Sequence, residues 1–382
     1  MEGLPQDIIV DIFSKMPAKS LCRFKCLSKA FMALITSPWF VELHKNQNQQ
    51  RQTVMVDDLI VRNSLLCLDI DRGITTVDQL HFPIENCCND CAWILGSCNG
   101  LLWLLIYDDT ARSSHVIYNY TTREFKRIPP YKPFDERYTS LYALGYAQSI
   151  DDFKVFGVSD PYDEVEVTSV HVFSLRNNTW KTFEINNFVE FRADLWAIHL
   201  NGTIHFGFCK LNFDDPFMIA AFDLVEDKFK FLALPHLFGY DAIYSYSVRS
   251  IGDCLCLIPV TTKWEKEFWI MKEYGVKESW TRISLANSIL HLQPLCPFKD
   301  SDSFLSVLGE KFVLFNPNDG SYEDFVIDGL QEDLEDCNLV VYAEAADSLI
   351  SPNSRANFQS EGALDLELKT GTVEDSLSYQ YS

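Results

Sequence analysis

The sequence predicts a small all-α module followed by a large all-β domain. Three observations carry that reading: apolar residues at helical spacing in the first 45 positions, short apolar runs parted by turn residues across 51–350, and aromatic anchors recurring about every 50 residues. Hydrophobic residues make up 47% of the 382-residue chain and aromatics 14%, enough for a sizeable core.

In the N-terminal stretch, Pro5 suits a first helical turn, and Asp7 sits near its positive end. Leu4, Ile8 and Ile12 form one stripe, and Ile9, Phe13 and Met16 a second beside it. Pro17 ends this helix and opens another with Leu21, Phe24 and Leu27. Ser28 caps a third, carrying Phe31, Leu34 and Ile35, with Pro38 after its stop. A unit of this size cannot hide that much apolar surface by itself. Either another protein completes it or it caps the rest of the chain.

From position 51 onward a strand leads to a polar turn and then to an aromatic residue. Val116-Ile117-Tyr118-Asn119 leads to Phe125, Phe173-Ser174 to Trp180, Phe222-Asp223 to Phe229, Phe268-Trp269-Ile270 to Trp280, and Phe315-Asn316 to Tyr322. A weaker copy runs through Leu66-Cys67-Leu68-Asp69 toward Leu80, for about six units. A period near 50 built from short strands is the size of a kelch-type propeller blade. Each anchor is expected to be buried against a neighbouring blade. Asn338 to Tyr342 reads as a last strand able to pair with the first unit and close a ring.

The formal net charge is −22, and so acidic a chain is a poor nucleic-acid binder. The charge is uneven: residues 1–50 are slightly basic, whereas 323–382 hold fourteen acids and two bases. No run of about 18 apolar residues suggests a membrane span, and the N-terminus lacks a secretory pattern. The twelve cysteines are scattered, as in a reduced protein of the cytoplasm or nucleus.

Chemistry-bearing motifs are missing. There is no phosphate-binding Gly-rich loop, no His-Glu-x-x-His and no Gly-x-Ser-x-Gly. Cys87-Cys88-Asn89-Asp90-Cys91 has zinc-like spacing but no second pair to complete a site, and His205 reads as a core residue. The acidic pairs Asp57-Asp58, Asp108-Asp109, Asp151-Asp152 and Asp214-Asp215 read as solvated hairpin tips. No catalytic residue, cofactor or metal ligand is assigned.

Leu4-Pro5-x-Asp7-Ile8-Ile9-x-x-Ile12-Phe13-x-x-Met16-Pro17-x-Lys19-Ser20-Leu21-x-Arg23-Phe24-Lys25-Cys26-Leu27-Ser28-Lys29 resembles an F-box, a three-helix module, with Phe31 where a Trp is usual. Further on, Gly96-Ser97-Cys98-Asn99-Gly100-Leu101, Ala143-Leu144-Gly145-Tyr146 with Asp151-Asp152-Phe153-Lys154-Val155, and Trp269-Ile270-Met271 with Ser279-Trp280 resemble the plant kelch-like F-box-associated interaction domain. The glycine doublet of true kelch repeats is missing, which leaves blade number and ring closure open. Family members often end with a Tyr-x-x-Ser-Leu segment similar to the stretch through Ser348-Leu349.

The resemblance implies an F-box over 1–48 and a kelch-like β-propeller over 51–350; composition predicts an acidic, disordered tail over 351–382, with a partner-binding peptide as the alternative. The resemblance further implies a non-catalytic, substrate-recognising subunit of a Skp–cullin–F-box ubiquitin ligase. Leu4, Pro5, Ile8, Ile12, Pro17, Leu21, Phe24 and Leu27 would contact a Skp-type adaptor, and through it a cullin–RING ligase. The β domain would hold an unidentified protein target, with basic proteins favoured by its acid-tipped loops. A scaffold working outside ubiquitination and a propeller enzyme with a helical cap are the alternatives. Two plant groups look similar: the S-locus F-box proteins of self-incompatibility and those that limit immune receptors in defence. The loops that would distinguish them are where relatives differ.

Overall fold

Four helices, rather than three, build the N-terminal module: α1 (Gln6–Ser14), α2 (Ala18–Phe24), α3 (Lys29–Thr36) and α4 (Pro38–Gln47). The computed structural model describes residues 5–47, 53–57, 65–69, 78–80, 87–108, 112–131, 139–159, 168–185, 197–209, 217–235, 243–251, 253–261, 267–284, 292–298, 303–309, 311–326, 340–343 and 348–353. Pro5 and Pro17 stand just before α1 and α2, where a missing amide costs nothing. Ser28 caps α3 by accepting the Phe31 amide at 3.1 Å. Pro38 does follow a stop, but it also opens α4, with Ser37 Oγ accepting the Phe40 amide at 3.3 Å. Phe40 and His44, one turn apart, are the buried face of α4. His44 Nε2 lies 2.8 Å from the Met16 carbonyl and donates to it.

Phe13, Ala18, Leu21, Ile35 and Phe40 form the helical core. Phe13 stacks on Phe24 at 5.4 Å and meets Phe31 edge-on at 5.1 Å. Phe31, the departure from the usual Trp, therefore still fills an aromatic slot.

The rest is a ring of four-stranded antiparallel sheets. Blade 1 takes β1 (Thr53–Asp57), β2 (Leu65–Asp69) and β3 (Asp78–Leu80). Blade 2 is β4 (Cys87–Cys98), β5 (Leu101–Asp108), β6 (Ser113–Asn119) and β7 (Glu124–Arg127). Blade 3 is β8 (Thr139–Ala147), β9 (Asp152–Ser159), β10 (Thr168–Ser174) and β11 (Thr179–Ile185). Blade 4 is β12 (Ile198–Leu200), β13 (Thr203–Cys209), β14 (Phe217–Asp223) and β15 (Lys228–Leu232). Blade 5 is β16 (Ile243–Ile251), β17 (Cys254–Thr261), β18 (Glu267–Met271) and β19 (Trp280–Ser284). Blade 6 is β20 (Leu292–Pro297), β21 (Phe304–Leu308), β22 (Lys311–Phe315) and β23 (Tyr322–Asp324). Finally β24 (Val340–Ala343) returns to pair with β1, Met55 opposite Tyr342.

Six sheets are thus present among the described residues. The first-position strands β4, β8, β12, β16, β20 and β24 pack side by side around the axis, and β24 meets β4. The ring closes because the last strand fills the innermost place of the first blade. Each inner edge is then flanked by the inner strands of its neighbours. Gly96 shows how close the inner strands lie: a Cβ there would stand 2.7 Å from the Leu144 amide nitrogen.

Aromatics fill the gaps between blades. Trp103 and Phe173 lie between blades 2 and 3, Phe156, Phe206 and Phe222 between 3 and 4, and Phe268 and Phe315 between 5 and 6. Of the five repeating anchors, Trp180 and Phe229 pack into the first two of these seams and Trp280 into the one between blades 4 and 5. The indole N–H groups of Trp180 and Trp280 donate to the Pro129 and Ala233 carbonyls, each at 3.0 Å, in the chain leaving the preceding blade. Phe125 and Tyr322 are instead exposed, so burial of all five is corrected: these two lie outside the seams.

The connection between the third and fourth strands repeats at atomic detail. Asn119 Oδ1 accepts the Thr121 and Thr122 amides at 2.8 and 3.0 Å, and Asp223 Oδ1 accepts those of Val225 and Glu226 at 2.9 and 3.0 Å. Ser174 and Asn316 play the same part. Four residues on, Arg123, Asn178, Asp227 and Gly320 take the positive φ that closes the turn.

Asp151-Asp152 is not a solvated tip. Asp152 is buried and accepts Ser174 Oγ at 2.6 Å and the Arg176 amide at 2.9 Å. It ties β9 to the turn after β10, a long-range role that a turn-propensity reading does not see. Asp57 and Asp108 end strands, while Asp58, Asp109, Asp214 and Asp215 lie outside the described residues.

Neighbouring blades are also riveted by lysines. Lys126 Nζ donates to the Leu175 carbonyl at 2.8 Å. Lys154 reaches the Leu224 carbonyl and Asp227, the latter at 2.7 Å, and Lys181 joins Asp227 at 2.5 Å. Burial alone would raise the Asp227 pKa, but hydrogen bonds and charge from Lys154 and Lys181 outweigh it and hold the carboxyl below its ordinary range. A depressed carboxyl pKa stabilises the fold above the unfolded value, and that contribution is lost as pH falls through the folded one. The urea midpoint is therefore expected to fall below about pH 4. Asp227→Asn should lose less over the same interval, as equilibrium unfolding at stepped pH would record.

Candidate functional site

The two apolar stripes of α1 go opposite ways. Phe13 is buried and Ile9 packs beside it, while Ile8 and Ile12 are 46% and 45% exposed. Pro5 and Leu27 are also exposed, the latter at 65%. Met32 on α3 and Trp39 at the start of α4 add two large exposed apolar side chains, which spacing alone did not mark. Of the other expected contacts, Leu21 is fully buried in the helical core. It is unavailable to a partner and supports the surface from behind. Phe24 is partly buried against Phe13, Pro17 is half-buried, and Leu4 lies outside the described residues.

Strand direction gives the propeller two unlike rims. One carries the connections between first and second strands, at 99–100, 148–151 and 201–202, and between third and fourth strands, at 120–123, 175–178 and 224–227. The opposite rim receives the other ends of these strands, where β9 finishes at Ser159, β11 at Ile185 and β15 at Leu232.

The helices sit at the first of these rims. Lys45 of α4 places its ammonium 4.2 Å from the centre of the Tyr146 ring. Tyr146, near the end of β8, donates its hydroxyl to Asp151 at 2.8 Å. Burial first, then that bond, pushes its pKa up, so it stays a neutral phenol. The chain after β24 lies at this rim too: Asn119 donates to the Ser348 and Ile350 carbonyls at 3.0 and 2.7 Å.

Several buried titratable groups bond to partners within the fold. His205 Nε2 is 2.7 Å from the Tyr274 hydroxyl, and burial lowers its pKa to about 3. Cys98 Sγ lies 3.5 Å from His199 Nδ1, while His199 Nε2 faces the Tyr146 carbonyl at 3.1 Å. Burial pulls His199 down to about 4. The ring is thus neutral, and Cys98 beside it is buried. No group of three metal-ligating side chains occurs among the described residues. The side chains of Cys87, Cys88 and Cys91 fall outside them, on strand β4.

This arrangement matches two known families in the same order along the chain. Residues 1–43 match the F-box domain and residues 53–344 the F-box associated beta propeller domain. The chain is 27% identical to the F-box protein CPR1 of Arabidopsis thaliana, covering 83% of this chain and 82% of that protein. An F-box/kelch-repeat protein of the same plant is 22% identical over 74% of this chain and 79% of its own length. Among solved structures, TolB from Acinetobacter baumannii matches with a TM-score of 0.43 and 11% identity, over 75% of this chain and 69% of that one; so distant a likeness carries no functional argument. With helices at the first segment and a closed ring of blades over the second, the chain belongs to the plant F-box proteins that carry an F-box associated β-propeller domain.

Proposed function

We propose that this protein is the target-binding subunit of a Skp–cullin–F-box ubiquitin ligase. One observation carries the reading: the F-box hides one apolar stripe in its own core and leaves Ile8, Ile12 and Leu27 in water. Exposed apolar surface of that kind marks a docking site. Seated against the short-turn rim, the F-box lies away from the opposite rim, and that rim is the place we assign to a target. Trp93, exposed on the innermost strand β4, is an aromatic of the type that anchors interfaces.

The chain then acts by tethering: it raises the target's effective concentration near a transferring enzyme elsewhere in the complex and performs no chemistry itself. The acidic balance of the chain outside the F-box favours a basic target, through steering that salt weakens. The compartment proposed is cytoplasm or nucleus, where the ligase partners would be met. Purified full-length chain should retain a Skp-type adaptor and, through it, a cullin. Binding of adaptor without cullin would favour a scaffold outside ubiquitination, and failure to bind adaptor would sink the proposal.

A further inference from the structure

The helical core contains one residue from the far end of the chain. Leu349 is buried in the same cluster as Phe13, Ala18, Leu21, Ile35 and Phe40. It follows shortly after β24, the strand that closes the ring. We propose that residues 348–353 form a strap that completes the F-box core, so that the F-box is competent to dock only once the propeller has closed.

The strap is held by groups suited to it. Asn119 is fully buried, and its amide donates to the carbonyls on either side of Leu349, at Ser348 (3.0 Å) and Ile350 (2.7 Å). The Ile350 amide donates to Ser348 Oγ at 3.1 Å, which folds the segment tightly around Leu349. Ser351 Oγ bonds Glu124, and Asn353 Nδ2 donates to the Phe125 carbonyl at 3.2 Å. Ile350 packs against the core between blades 2 and 3. The strap therefore has one apolar side chain in the F-box and the next in the propeller.

Comparison of the blades shows what Asn119 adds to the shared turn: its side-chain nitrogen bonds the strap. Its position opens the repeated turn, and Ser174, Asp223 and Asn316 supply the turn acceptor elsewhere. An aspartate such as Asp223 performs that role but has no N–H to offer. In blade 2 the amide serves both purposes: its oxygen holds the turn and its nitrogen holds the strap. The exposed Phe125 fits the same picture, since its backbone carbonyl is occupied by Asn353.

The consequence is order of assembly. A chain whose ring is unfinished lacks Leu349 in the F-box and cannot present a rigid docking face. The adaptor would meet only receptors whose target-binding domain is complete. The adaptor arm of this inference rests on the ligase reading; the exchange arm does not.

The test uses the full-length chain, with hydrogen exchange read separately on α1–α4 and on the blade strands, together with adaptor titration. Leu349→Ala removes the plug. Asn119→Asp keeps an acceptor for Thr121 and Thr122 but turns a carboxylate toward two carbonyls. In both variants the exchange of α1–α4 should rise, and adaptor affinity should fall, by about tenfold or more while the blades stay protected. Removal of 354–382 should change neither. Unchanged protection of α1–α4 in both variants would overturn the strap. So would loss of protection in the blades in step with the helices, because the segment would then be only a piece of propeller. A wild-type chain that ignores the adaptor sinks the ligase reading alone, and the exchange pattern still decides the strap.

Discussion

Replacing Ile8 and Ile12 together with aspartate is expected to abolish adaptor binding while leaving the fold intact. Both side chains are nearly half exposed, so the change removes little from the protein's own core. In a complex each would bury apolar surface worth roughly 1.5–3 kcal/mol, and a desolvated carboxylate adds a further penalty. The double variant should therefore lose about two to four orders of magnitude in affinity. Circular dichroism and the urea midpoint should match the wild type. The control is Phe13→Ala on the buried stripe: it should lose stability first and adaptor binding only as a result. If the double aspartate variant binds normally, the docking face lies elsewhere, with Met32 and Trp39 the next candidates.

That contrast marks what spacing reveals. Two stripes on α1 can be read from positions 8, 12 and 9, 13, 16, together with the surplus of apolar surface they create. Periodicity does not say which stripe faces inward. Leu21, grouped with the contacts through the F-box resemblance, turns out to be a core residue. The fourth helix escaped because its buried face rests on Phe40 and His44 alone, and because Pro38 serves equally as a stop and as a first-turn residue. The turns of the propeller were legible for a local reason: an Asn, Ser or Asp that bonds amides two or three residues on leaves its mark within five positions. Partners far apart leave none. Asp152 with Ser174, and Asn119 with Ser348 some 229 residues away, are set by the ring and not by neighbours in sequence. The strap belongs to this second kind, since nothing near Ser348-Leu349 announces that a helical core at the other end of the chain needs it.

The aromatic repeat tests the same distinction within the propeller. Trp280→Ala is expected to cost about 3–5 kcal/mol, whereas Tyr322→Ala, at the corresponding place in the next blade, should cost less than about 1 kcal/mol. Sequence alone treats them alike, since each follows a strand and a turn and opens a fourth strand. Their surroundings differ. Trp280 is only 8% exposed, packs with Tyr246, Leu257 and Met271 between blades 4 and 5, and donates its N–H to the Ala233 carbonyl. Its removal opens a large cavity and leaves that carbonyl without its indole donor. Tyr322 is 43% exposed and pairs with Phe315 through its backbone, which alanine preserves. Urea unfolding followed by strand-resolved exchange separates the outcomes: a large midpoint shift for Trp280→Ala with early opening of blades 4 and 5, and almost none for Tyr322→Ala. Equal costs would mean that the repeat position itself carries the stability. Unequal costs in this direction locate it in the seam, where an aromatic holds the chain leaving one blade against the face of the next.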